Sequence, residues 1–392
     1  MSKTNTRRAL MQTSFLLLIA TLALSACATP AAPDPTVAPT DWAHTTSAAD
    51  GGGMDALVAA AKAEGTLTTI ALPHDWCGYG AVIDGFKAKY GLAVNELNPD
   101  AGSADEIEAI KANKDNKGLQ APDVIDVGLS FGPSAKTDGL ITPYKVATWD
   151  TIPADAKDAD GAWYGDYYGV MAIEVNTAVV SNPPKDWADL LKPEYNGQVA
   201  LAGDPRVSNQ AIQSVYGAGL STGAGADGAG AAGLEFFKQL NAVGNFVPVI
   251  AKQGTVASGE TPIVLRWDYN ALADKESLAG NPPIEVIVPS SGVLAGVYVQ
   301  AVSAYAPHPA AARLWMEYLY SDEGQLLWLK GFCHPIRYND LAANNKIPAD
   351  LAAKLPPAEL YAKAVFPTLA QIDAGKKTIT EGWDATVGAD VK

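Results

Sequence analysis

The stretch Pro262 to Tyr269 reads Pro-Ile-Val-Leu-Arg-Trp-Asp-Tyr. Ile263, Val264 and Leu265 suit a strand buried on both faces. The chain then turns abruptly polar and aromatic at Arg266, Trp267, Asp268 and Tyr269. In open α/β sheets, ligands sit beyond the carboxyl ends of the strands. Trp267 and Tyr269 offer flat faces there, and Asp268 a carboxylate that also caps the helix expected over 269–278. Similar strand-end chemistry recurs at His74, Asp75, Trp76 and Tyr79, at Ser130 and Phe131, at Asp204, Arg206 and Ser208, and at Tyr298. A cationic solute would use Asp75 and Asp268 as counter-charges, with Trp76, Trp267 and Tyr269 as cation–π faces. An anionic group would sit on the helix amino terminus after Asp204, held by backbone N–H groups, Ser208 and Arg206. Arg206 and Asp268 together would suit a zwitterion. The cationic or zwitterionic organic solute ranks first and the anionic one second.

Enzymatic motifs fail their structural context. Gly223-Ala-Gly-Ala-Asp-Gly228 satisfies G-x-G-x-x-G, and Gly219-Leu-Ser-Thr-Gly223 satisfies G-x-S-x-G. Both fall between two helices rather than after a strand, so the segment reads as a flexible loop. The four histidines, His44, His74, His308 and His334, form no metal-ligand array. No cofactor and no metal is expected, and the chain reads as a binder rather than an enzyme. The competing class is a secreted serine hydrolase using Ser221 with His308 or His334, which needs those side chains within hydrogen-bond reach. A surface lipoprotein without any ligand is the third alternative.

Positioning such residues takes two sets of alternating strands and helices. The first predicts strands over 66–72, 92–97 and 124–129, with helices over 54–64 and 79–90 and one opened by Ser103, with Glu106 in capping-box position. Trp163 to Thr177 alternates without helical period and reads as extended. The second set predicts helices over 186–191, 208–218, 234–243 and 269–278, and strands over 198–202, 246–250, 262–267 and 284–288. Residues 297–303 are again extended, and His308-Pro309 starts a further helix. The order argues for α/β lobes built on doubly wound sheets. A chain of 392 residues is too long for one core and suits two lobes plus appendages. Its 28 basic and 43 acidic residues give −15, which excludes a nucleic-acid partner.

The amino terminus carries Lys3, Arg7 and Arg8, an apolar stretch from Ser14 to Leu24, and then Leu24-Ser25-Ala26-Cys27. That apolar stretch is too short to span a bilayer. The four residues ending at Cys27 resemble a bacterial lipobox, which implies a lipidated Cys27 and an extracytoplasmic protein anchored to a lipid bilayer. Ala28 to Gly53, rich in Ala, Pro, Thr, Ser and Gly, reads as a flexible tether. Cys77 and Cys333 then remain in an oxidising compartment, either paired or as buried thiols.

Val299-Gln-Ala-Val302, Ala306-Pro-His-Pro-Ala-Ala-Ala312, Tyr318-Leu-Tyr-Ser-Asp-Glu-Gly-Gln325 and His334-Pro-Ile-Arg337 resemble the carboxyl-terminal signature of extracellular solute-binding proteins of ABC importers. The branch resembled holds ferric-iron, polyamine and aminophosphonate binders. Asp186-Trp-Ala-Asp-Leu-Leu191 with Tyr195-Asn-Gly197 is similar to the segment before the second-lobe strand. The resemblance implies a type II periplasmic-binding fold: two α/β lobes, crossing strands near 168–175 and 296–302, and a solute gripped when the hinge closes. It places lobe one at 54–168 and 296–340, lobe two at 169–295, and a helical segment over 341–392 that packs on them. It implies a monomer serving an ABC permease. Polyamine binders of the family use acidic and aromatic residues. Ferric binders typically use two adjacent second-lobe tyrosines, but between Val199 and Arg266 this chain has only Tyr216. Tyr167-Tyr168 is adjacent but lies at the expected hinge, so iron ranks last.

Overall fold

The computed structural model describes residues 40–355, 358–361 and 363–392. The apolar amino-terminal stretch and Cys27 lie outside them. Among the described residues, no helix is long and apolar enough to cross a membrane.

The first set of elements follows the expected alternation: α1 (Met54–Glu64), β1 (Thr66–Ile70), α2 (Tyr79–Tyr90), β2 (Ala93–Leu97), α3 (Ser103–Ala112), β3 (Val124–Gly128), α4 (Phe131–Thr137) and β4 (Ile141–Thr142). Gly65 and Gly91 stop α1 and α2 in left-handed conformations, with φ near 75° and 73°. β1 and β2 pair in parallel, and β3 runs beside β1, with Asp123 N–H donating to Thr68 O at 2.9 Å.

β5 (Tyr164–Asn176) is a single strand of 13 residues. Next come β6 (Val199–Leu201), α5 (Asn209–Ser221), α6 (Gly225–Ala242), α7 (Gln253–Ser258), β7 (Ile263–Trp267), α8 (Asp268–Leu278) and β8 (Ile284–Ile287). The chain returns through β9 (Ala295–Ser303) to α9 (Pro309–Leu319), α10 (Asp322–Lys330) and β10 (His334–Pro335). Three short helices between 338 and 361 lead to α11 (Leu369–Thr386).

The architecture is α/β with two lobes. β5 joins them: residues 164–170 pair antiparallel with β9, and residues 171–176 with β7 and β8. β9 continues antiparallel along β3. Among the described residues, parallel pairing between named strands is confined to β1–β2 and β6–β7. β5, the strand shared by both lobes, runs antiparallel to its neighbours β7, β8 and β9.

Three local expectations are corrected. Residues 246–250 form a single bridge, Phe246 to Val199, rather than a strand. Pro248 has no N–H to continue a ladder. The Gly/Ala-rich run is not a loop past Gly225, because it forms the first turns of α6. Its small residues let α6 lie directly on α5: a Cβ on Gly233 would stand 2.1 Å from Val215 O. Thr40 to Gly53 is folded on the first lobe rather than free. Trp42 is buried there, and the fully buried Arg313 of α9 donates from Nε to Thr45 O and from Nη2 to Ala43 O, both at 2.9 Å. A buried guanidinium needs such acceptors, and these carbonyls provide them.

The α5–α6 contact predicts that Gly233→Ala forces a backbone shift and costs about 1–3 kcal/mol. Gly254→Ala, in α7 with no atom within 4 Å of the new Cβ, should be neutral or stabilising. Thermal denaturation of the two variants checks this: equal melting temperatures would refute the close approach.

Candidate functional site

A cavity of about 330 Å³ lies between the lobes, at the carboxyl ends of β1, β3 and β7. The first lobe contributes Asp75, Trp76, Ser103, Glu106 and Asp126, and β9 contributes Tyr298. The second lobe contributes Asp204, Ser208, Gln210, Arg266, Asn270 and Asp274. The lobes approach closely around it. Asn209, the first residue of α5, sits over the end of β3, where a Cβ on Gly128 would fall 2.1 Å from the Asn209 side chain. Across the cleft Lys252 Nζ meets Asp100 Oδ2 at 2.6 Å, an exposed pair worth little by itself.

Beside the cavity is a carboxyl network. Asp126 Oδ2 accepts from Tyr79 Oη and Tyr167 Oη, both at 2.7 Å, and Asp126 N–H donates to Glu106 Oε2 at 2.9 Å. Gln300 Nε2 links Tyr79 Oη (2.7 Å) to Asp166 Oδ2 (3.2 Å). Asp126, Glu106 and Asp166 are all buried. Burial pushes Asp126 up to about 7, although both tyrosine hydroxyls pull it down. Glu106 and Asp166 are held well above the carboxylate range, first by burial and then by the charge of Asp126. The largest influences on all three include no basic side chain.

Aromatic rings cover this network. Trp76 Nε1 donates to Tyr167 Oη at 2.6 Å, and the half-buried indole meets Tyr269 and Tyr298 edge-on, with centroids 5.5 and 5.3 Å away. Cys77, next in the chain, is disulfide-bonded to Cys333, with a Cα–Cα distance of 5.5 Å. That bond ties the Trp76 loop to the start of β10.

Of the residues singled out from sequence, Asp75, Trp76, Asp204, Ser208 and Tyr298 line the cavity. The others do not. His74 is exposed and pairs with Glu96 at 2.6 Å. Tyr79 is buried behind the wall as a partner of Asp126. Ser130 and Phe131 are covered by α11: Lys376 Nζ donates to Ser130 O at 3.1 Å and lies 4.1 Å from the Phe131 ring centroid. Arg206 turns away to Asp204, Asp384 and Asp390. Trp267 is fully buried and stacks on Tyr269, itself buried. Asp268 is fully buried and accepts Val170 N–H at 3.0 Å. The cluster after β7 therefore forms the support of the wall rather than its surface.

Glu106, Asp126, Arg266, Gln210, Asn270 and Asp274 were given no ligand role from sequence, although Arg266 was named in the cluster after the strand and Glu106 as a cap residue. Asp126 carries a legible signal, an acid inside the apolar strand Val-Ile-Asp-Val. Glu106 is hidden by its resemblance to a cap residue. In the structure the cap is Gly102, whose N–H is taken by Asp105 Oδ2 at 2.9 Å, leaving Glu106 for Asp126.

The hydrolase constellation is not assembled. Ser221 donates to Ala218 O at 2.6 Å at the end of α5, His308 pairs with Asp123 at 2.9 Å, and His334 stacks on Tyr168. Among the described residues no group of three or more His, Cys, Asp or Glu is placed to hold a metal ion.

A sequence profile of bacterial extracellular solute-binding proteins matches residues 120–364. Solved structures share the architecture. The periplasmic binding protein P5PA superposes with a TM-score of 0.66 at 19% identity, over 82% of this chain and 99% of that one. AfuA from Actinobacillus pleuropneumoniae, with fructose-6-phosphate bound, gives 0.62 at 19%, over 82% and 98%. Iron-bound HitA from Pseudomonas aeruginosa gives 0.62 at 20%, over 82% and 99%. Identities this low carry the fold and leave the ligand open.

The buried network predicts a pH dependence. A carboxyl whose folded pKa lies above its unfolded one contributes stability that is full below the unfolded value and lost as pH rises through the folded one. For Asp126 that window runs from 3.8 to about 7, and Glu174, also pushed up to about 7 by burial, has the same sign. The melting temperature of ligand-free protein should fall between about pH 4 and 7, and Asp126→Asn should flatten that slope. A melting temperature that rises over this window, or an unchanged slope in the variant, would contradict the assignment.

Proposed function

Because this chain belongs to the bacterial extracellular solute-binding proteins, we propose that it captures a small organic cation outside the cell and hands it to an ABC importer. It works as a monomer tethered to the membrane through an acylated Cys27. The observation that carries the cationic reading is the set of Asp126, Glu106 and Asp166, buried with no basic group among their main neighbours, beside a cavity lined by Trp76 and Tyr298. An ammonium group supplies the missing counter-charge, and the Trp76 and Tyr298 rings supply cation–π faces. Further carboxylates on the walls, Asp75 and Asp105 among them, attract cations to the opening. Closure of the two lobes then traps the solute and presents one bound shape to the permease.

Ferric iron lacks support in this geometry. Tyr167 is committed to Asp126 and Tyr168 stacks on His334, so the adjacent tyrosines do not converge on one point.

Isothermal titration with aliphatic amines tests the reading. Trp76→Ala and Asp126→Asn should each weaken amine binding by at least tenfold while the circular dichroism spectrum is retained; unchanged affinity in both would sink it. Cys27→Ser should move the protein from the membrane fraction to the soluble one. Retention on membranes would require another anchor.

A further inference from the structure

Two side chains of the second-lobe wall, Gln210 and Asp274, are committed to hydrogen bonds within the lobe. Gln210 Oε1 accepts from Trp267 N and Asn270 Nδ2, both at 3.0 Å, and its Nε2 donates to Ala202 O at 3.1 Å. Asp274 accepts from Gln253 Nε2 at 3.0 Å on one oxygen and from Arg266 on the other. Arg266 differs. Both of its ion pairs, to Glu174 at 3.0 Å and to Asp274, fall on Nη1. Nη2 takes part in neither, and the buried Nε has no hydrogen-bond partner. The side chain is 12% exposed and lies on the cavity wall.

The charge of this guanidinium is already matched. Glu174 and Asp274 face it from β5 and α8, and Asp75 of the other lobe adds a further negative influence. A guanidinium so compensated gains little from another carboxylate. It still carries donors that cost free energy when left unmet in a closed site. The first-lobe wall has the opposite character, because Asp126 Oδ1 has no partner there and is an acceptor.

We propose that Arg266 determines specificity by donating to an uncharged oxygen at the far end of the solute, so that the ligand is a monocation carrying an amide- or hydroxyl-type oxygen remote from its ammonium group. This rests on the cationic reading above and adds the second end of the molecule. Closure then matches donor to acceptor on both walls: ammonium toward the first-lobe carboxyls, oxygen toward Arg266. A diamine would leave the Arg266 donors unmet, because an ammonium group has no acceptor to offer them. An amino acid would set its carboxylate among Glu174, Asp274 and Asp75.

Four probes of one chain length separate these cases by calorimetric titration: 1,4-diaminobutane, N-acetyl-1,4-diaminobutane, 4-amino-1-butanol and 4-aminobutanoate. The acetylated diamine or the amino alcohol should bind at least tenfold more tightly than the diamine and the amino acid. Arg266→Lys keeps a positive charge for Glu174 and Asp274 but gives up the spare donors, and should bring that ratio close to one. The wild-type comparison stands even if the variant does not fold. Tightest binding by the diamine, or a preference that survives in Arg266→Lys, overturns the proposal while leaving the cationic reading intact; tightest binding by the amino acid overturns the proposal and counts against the cationic reading. Binding of none of the four would count against both.

Discussion

Three carboxyl groups buried together, with no basic side chain among the largest influences on them, are costly to ionise, and the rest of the site is arranged around that cost. Removing one carboxylate from water without a partner costs several kcal/mol, so such a group keeps its proton or finds a cation. Asp126 is the pivot: it accepts from two tyrosines, and its backbone N–H occupies Glu106. The tyrosine hydroxyls lower the cost of its charge without abolishing it. A solute that brings a positive charge into the cavity relieves the remainder. In the cationic reading proposed above, affinity comes from this uncompensated burial.

The fold places this deficit where both lobes can act on it. β5 supplies Asp166 and Tyr167 on adjacent positions in its first-lobe half, and β9 supplies Tyr298 and Gln300 from the neighbouring strand. The network lies where β5 crosses from one lobe to the other, beside the place where α5 lies against β3. One direct contact across the mouth, Lys252 with Asp100, is well exposed and worth little by itself. α11 adds a second bridge, with Lys376 on Phe131 of the first lobe and Ile379 and Trp383 packed in the core shared with the second.

Much of the fold was legible in the sequence because periodicity and glycine stops are local signals. The strands over 66–72, 124–129 and 262–267 and the extended stretches that became β5 and β9 all lie close to where their patterns put them. The errors came from long-range packing. Nothing local distinguishes a flexible Gly/Ala run from a helix whose small residues seat it on a neighbour, as at Gly233. The site was half legible. Strand ends were the right place to look, and Asp75, Trp76 and Tyr298 are on the wall. Trp267, Asp268 and Tyr269 share that address but point into packing, because the side of a strand end that a residue faces is set by tertiary contacts. Arg266, one position earlier, has the opposite fate.

The linkage between cation capture and proton loss tests the central claim most directly. At pH 6.5 an aliphatic amine already carries its proton, so any proton that appears on binding comes from the protein. Calorimetric titration of N-acetyl-1,4-diaminobutane in buffers of different ionisation enthalpy counts those protons. Net release of a substantial fraction of a proton per solute bound, lost in Asp126→Asn, is the result this account predicts. Binding with no proton release, or with uptake, would contradict it.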